Sequence, residues 1–93
     1  MSKYYFDRFD GIECMRDQVG ADLSSRETAR QAAQELLSEI AQEGIPDGSS
    51  REFIVDVRDN LGILIYTCRL SLTGRWLDHS VPPLGNRASS VSN

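Results

Sequence analysis

The stretch Ser24–Gly44, SSRETARQAAQELLSEIAQEG, dictates what the rest of the chain has to supply. Ala29, Ala32, Ala33, Leu36, Leu37, Ile40 and Ala41 recur at spacings of three and four, which gathers them into one stripe on a helix. Ser24 with Glu27 fits a capping box, in which the hydroxyl accepts from a free backbone N–H and the carboxylate reaches back. Gly44 is expected to stop the helix in the left-handed conformation, and Pro46 forbids its continuation. The first turns of the stripe are alanine, so a sheet can approach closely there. A chain of 93 residues is one domain with a small core. The stripe must therefore be buried by strands on either side of it.

Those strands are legible. Tyr4–Phe9 (YYFDRF) is aromatic-rich, with Tyr4, Phe6 and Arg8 on one face and Tyr5, Asp7 and Phe9 on the other. Tyr4 and Phe6 are expected to point inward. Asp10-Gly11 is a hairpin signal, and Ile12–Arg16 reads as a short returning strand. Asp17–Leu23 reads as a loop with Gly20 at positive φ. After the helix and a Pro/Gly/Ser loop, Phe53–Arg58 alternates Phe53, Val55 and Val57 with Ile54, Asp56 and Arg58. A turn at Asp59–Gly62 leads into a long strand, Ile63–Leu72, in which Leu64, Tyr66, Cys68, Leu70 and Leu72 share one face.

The order β-β-α-β-β predicts an α+β fold: one four-stranded antiparallel sheet in the order 2-1-3-4, with a single helix on one face. Residues 1–79 form the domain. Residues 80–93, SVPPLGNRASSVSN, have the composition of a disordered tail. In this layout Leu36, Leu37 and Ile40 pack on Phe53, Val55, Val57 and Leu64. The second and fourth strands lie at opposite edges, so Cys14 and Cys68 are too far apart to bridge.

The charge balance restricts partners. Ten Lys and Arg against fourteen Asp and Glu give a net charge of −4, which disfavours binding to phosphate backbones or anionic membranes. Neither a signal peptide nor a transmembrane span is expected, and the expected compartment is the cytoplasm, with both thiols reduced.

The chain resembles a family of short bacterial proteins known as a domain of unknown function, of the 6894 type. The likeness rests on an aromatic strand ending at Asp10-Gly11, on Asp17, Gly20 and Leu23, on Ala29-Arg30 with Ala33 in the helix, and on Asp59 with Gly62 at the strand turn. It covers about residues 3–72. Arg8 stands where that family is usually aliphatic, and the chain after Leu72 is longer than usual. The resemblance supports the fold and implies no activity. The small β-β-α-β layout is also similar to HicB-type antitoxins at the level of the fold.

The polar residues offer little chemistry. Asp7, Asp10, Glu13, Asp17 and Asp22 lack EF-hand spacing and are better read as turn and cap residues than as a cation site. His79, the one histidine, has nothing to orient it. Cys14 and Cys68 read as small apolar side chains. No Gly-rich phosphate loop is present. The sequence therefore points to a non-enzymatic protein-interaction or regulatory module without a cofactor or metal. The alternative is an antitoxin-like, nucleic-acid-associated regulator, for which Lys3, Arg8, Arg58 and Arg69 would have to form one basic patch. One helix cannot cover both faces of the sheet. The open face is expected to carry Tyr5, Phe9, Ile54, Ile63 and Ile65, an apolar patch to be covered either by a second copy of the chain or by Trp76 and Leu77 folding back. The exposed row Glu35, Glu39 and Glu43 is a second surface, suited to a basic partner.

Overall fold

A computed structural model describes residues 1–44 and 50–77. The element order is β1 (Ser2–Phe9), β2 (Cys14–Met15), β3 (Ala21–Leu23), α1 (Arg26–Gly44), β4 (Ser50–Arg58) and β5 (Leu64–Thr73). The sheet runs β2-β1-β4-β5, all antiparallel neighbours, which is the order the sequence implies. The expected tail and His79 lie outside the described residues, as does Pro46. Among the described residues, no helix is long and apolar enough to cross a membrane.

The sheet has one more strand than expected. Ala21–Leu23, read as loop, pairs antiparallel with the opening of β1: Ser2 faces Leu23 and Tyr4 faces Ala21. β2 pairs with the other end of β1, where Arg8 faces Met15 and Phe9 faces Cys14. The segment between β2 and β3 contains Asp17 and Gly20, and it interrupts what would otherwise be one continuous partner for β1.

The core forms where the helix stripe meets β4. Ala29, Ala33, Leu37 and Ala41, four residues apart, are buried together with Phe53, Val55, Val57 and Tyr4. Three of the four helix positions are alanine, so the backbone of α1 lies close over the bulky side chains of β4. Phe6, Leu23, Leu36, Ile40, Tyr66 and Cys68 pack half-buried around this centre. The inward faces of β1 and β4 are those the alternation predicts.

Three local expectations are corrected. First, the helix is capped one residue later: the Thr28 N–H donates to Ser25 Oγ at 3.1 Å, and Glu27 pairs with Arg30 instead of reaching back. Second, Gly44 is the last helical residue and is not among the glycines at positive φ. It is needed for space, because a Cβ there would stand 2.6 Å from Phe53 Cε1. Third, the β4–β5 ladder slips between Val57 and Arg58: Val57 faces Tyr66 while Arg58 faces Leu64. The extra residue, Ile65, packs against the core, and Leu64 is 57% exposed. A bulge of this kind breaks the strict alternation on which both assignments rested.

Candidate functional site

Three aspartates build the turns. Asp10 Oδ1 accepts from the N–H groups of Ile12 and Glu13, Asp17 Oδ1 from Val19 and Gly20, and Asp59 Oδ1 from Leu61 and Ile63. Each turn carries a glycine at positive φ: Gly11 at 94°, Gly20 at 77° and Gly62 at 84°. The two Asp-x-x-Gly segments are thus one device used twice. Among the described residues, no group of three or more His, Cys, Asp or Glu side chains is placed to hold a metal ion.

On the sheet face away from α1, residues opposite one another in the ladders define the surface. Tyr5 faces Arg58, Asp7 faces Asp56, and Phe9 faces Ile54 on β1 and β4. Ile54 faces Arg69, Asp56 faces Thr67, and Glu52 faces Ser71 on β4 and β5. Most of these groups are satisfied within the face. The Arg58 guanidinium donates to both oxygens of Asp7, from Nε at 2.7 Å and Nη2 at 3.0 Å, and to the Asp17 carbonyl at 2.8 Å. It also lies 4.9 Å from the centre of the Tyr5 ring. Thr67 Oγ1 donates to Asp56 at 2.6 Å, and Arg69 pairs with Glu52 at 3.3 Å.

Asp17 ties this face to the sheet edge. Its Oδ2 accepts the Phe6 N–H at 3.1 Å, in the gap between β2 and β3, and its own N–H donates to Asp7 Oδ1 at 2.9 Å. The bonds from Arg58, followed by that from the Asp17 N–H, hold the Asp7 carboxyl below its usual range against the effect of burial. Burial pushes Asp17 up, but the N–H donors of Phe6, Val19 and Gly20 together bring it below the usual range as well. No sequence spacing announces this knot of Asp7, Asp17 and Arg58.

The expected open-face patch is smaller than the alternation suggests. Tyr5, Phe9 and Ile54 lie on it, half-buried, and Tyr5 is covered by Arg58. Ile65 packs toward the core instead, and Ile63 sits exposed in the turn before β5, where its carbonyl accepts from Asp59 N–H. Phe9 and Ile54 line a shallow depression with Cys14 and Met15. Glu35, Glu39 and Glu43 are all exposed on α1.

A second depression lies on the helix side. α1 lies across β4 and β5 and touches β1 less. A groove of about 590 Å³ remains between the helix and the β1–β2 edge. Phe6, Met15, Val19, Ala32 and Leu36 form its apolar walls. Met15 and Val19 are exposed, and the Arg8 guanidinium lies 3.1 Å from the Met15 sulfur. The groove continues past Ile40 to Glu13 and Glu43. Arg51 closes that end, donating to the Asp10 carbonyl at 2.9 Å and to the Gly44 carbonyl at 3.0 Å. It supplies the positive charge that the last turn of α1 lacks.

Among the described residues these features define a small α+β module: one helix over an antiparallel sheet, with an outer face that joins paired polar groups to a small apolar depression, and a groove beside the helix with apolar walls and a partly charged rim. The chain belongs to the family described as domain of unknown function DUF6894, whose model matches residues 3–71. No curated protein and no solved structure matches it.

Proposed function

We propose that the protein is a non-enzymatic protein-interaction module, acting in regulation, and that the groove beside α1 receives an apolar side chain of its partner. The observation that carries this reading is the groove itself. Phe6 and Leu36 pack on the core beneath them, Ala32 lies half-buried beside them, and Met15 and Val19 stand exposed at the rim. A preformed apolar cleft with an adaptable methionine at its lip suits an anchoring side chain. Arg8 and Arg16 border the groove while Glu13 and Glu43 stand at its far end, and the exposed acidic row of α1 beyond them favours a partner that carries basic residues on that side of the anchor.

The arrangement of cations supports this reading over an antitoxin-like, nucleic-acid-associated one. Arg58 is held by Asp7 and Arg69 by Glu52, so two of the four residues required for a basic patch are already neutralised.

The test compares the wild type with Met15→Glu and Val19→Glu as baits, followed by titration of any retained protein in purified form. The expected result is a partner whose affinity falls by about tenfold or more in both variants, the scale of placing a charge in an apolar anchor site. Partners that bind all three baits equally would overturn the assignment of the groove.

A further inference from the structure

We infer that β5 pairs with the β5 strand of a second copy of this chain, in antiparallel register centred on Leu70. This surface is separate from the groove beside α1.

β5 is the long edge of the sheet, ten residues from Leu64 to Thr73, and among the described residues only β4 pairs with it. A strand edge presents unpaired N–H and C=O groups, and proteins that stay monomeric shield such edges with proline, lysine, short length or an added bulge. The opposite edge is shielded in this way: β2 has two residues, β3 has three, and the segment holding Asp17 separates them. β5 contains no proline and no lysine. Its one charged residue, Arg69, is turned back to Glu52 of β4. Its slip lies at one end only, beside Leu64 and Ile65, which leaves Tyr66–Thr73 in regular ladder.

The register follows from that regular stretch. Two copies related by a two-fold axis normal to the sheet keep their faces in common, so one residue must face its own counterpart. The middle of Tyr66–Thr73 falls at Arg69 or Leu70. Centring on Arg69 would set two guanidinium groups against each other. Centring on Leu70 sets Arg69 beside the partner's Ser71, Cys68 beside the partner's Leu72, and Thr67 beside the partner's Thr73. It also places the Leu70 side chains together on the helix side, where each is 43% exposed in the single chain. The same register carries Trp76, 98% exposed just past the strand, toward the partner's Leu64. Apolar area and main-chain bonds thus come together along one self-complementary edge.

The experiment is sedimentation velocity over a wide concentration range on the wild type and on Leu70→Lys. Far-ultraviolet circular dichroism checks that the variant folds. The expected result is a wild-type monomer–dimer equilibrium that Leu70→Lys weakens by about tenfold or more, since like charges then face each other. A second measurement does not depend on that variant. In a chain carrying Cys14→Ser and Cys68→Ser, Leu70→Cys places two thiols across the axis at a Cα separation of about 4.5–5.5 Å, within disulfide reach. Mild oxidation should link Leu70→Cys chains about tenfold faster than Thr73→Cys chains, whose thiols do not face each other. A wild type that stays monomeric throughout overturns the proposal, whether another segment of the chain or nothing covers the edge. A dimer that survives Leu70→Lys and fails to link at position 70 also overturns it. Either outcome leaves the groove reading to its own test.

Discussion

Replacing Asp17 by alanine removes three hydrogen bonds to one carboxylate and is expected to unsettle the whole β1 edge. The bond from Val19 N–H is exposed, and water can replace it, so it contributes little. Those from Phe6 and Gly20 are partly buried, at 3.1 and 3.2 Å. Leaving such donors without an acceptor costs about 1–3 kcal/mol, and bonds to a charged group stand at the upper end of that scale. The Arg58 bond to the Asp17 carbonyl survives the change, because it is a main-chain contact. The expected loss is about 2–3 kcal/mol, which for a domain of this size lowers Tm by about 10–20 °C. Asp17→Asn keeps one acceptor oxygen, which serves either Phe6 or the turn, so it should fall between the two. The pH dependence gives the sign. The folded Asp17 carboxyl lies below its ordinary value, so its stabilisation is complete above the unfolded pKa and is lost as pH falls through the folded one. Thermal melts followed by circular dichroism should therefore show a wild-type advantage over Asp17→Asn that is constant near neutrality and closes below about pH 4. An Asp17→Ala protein that melts within a degree or two of wild type would refute the reasoning.

Other perturbations have equally definite outcomes. Leu37→Ala, at a buried position facing β4, should cost about 2–5 kcal/mol in urea unfolding. Gly44→Ala should destabilise by about 1–3 kcal/mol, although alanine ordinarily favours a helix, because its Cβ meets the buried Phe53 ring at 2.6 Å. Pairing it with Phe53→Leu should recover part of that loss in a double-mutant cycle. Both thiols are free, with Cys14 exposed and Cys68 half-buried. Burial pushes the Cys68 thiol up, so a thiol reagent at neutral pH should label Cys14 well before Cys68.

Repeating patterns made much of the fold legible in advance. The three- and four-residue spacing of α1 located its buried face, and the alternation in β1 and β4 located theirs, because those periods follow from backbone geometry. Legibility failed where one residue altered the count. Ser24 and Ser25 offer the same hydroxyl, and only the chain path decides that Ser25 caps the helix. One slipped residue in β5 exchanged the roles of Leu64 and Ile65. β3 is three residues long and too short to show a period. The knot of Asp7, Asp17 and Arg58 joins positions up to 51 residues apart, and no local pattern announces such a contact. The Asp-x-x-Gly spacing around Asp17 did signal a turn, but nothing in it indicated that the second carboxylate oxygen would serve the sheet. The groove depends on where the helix lies across the strands, which periodicity leaves open.

The gap in the β1 edge that Asp17 fills has a consequence for assembly size. A sheet with two usable edges is a repeating unit: each added copy offers a fresh edge, and growth has no natural end. A sheet with one usable edge is half of a closed pair. Asp17 occupies the Phe6 N–H at the point where an incoming strand would need it, and so makes that side a dead end. Its loss would therefore do more than loosen the fold. It would free one main-chain donor between β2 and β3, reopening part of the second edge, the edge that a pair joined through β5 as proposed would still present to solvent.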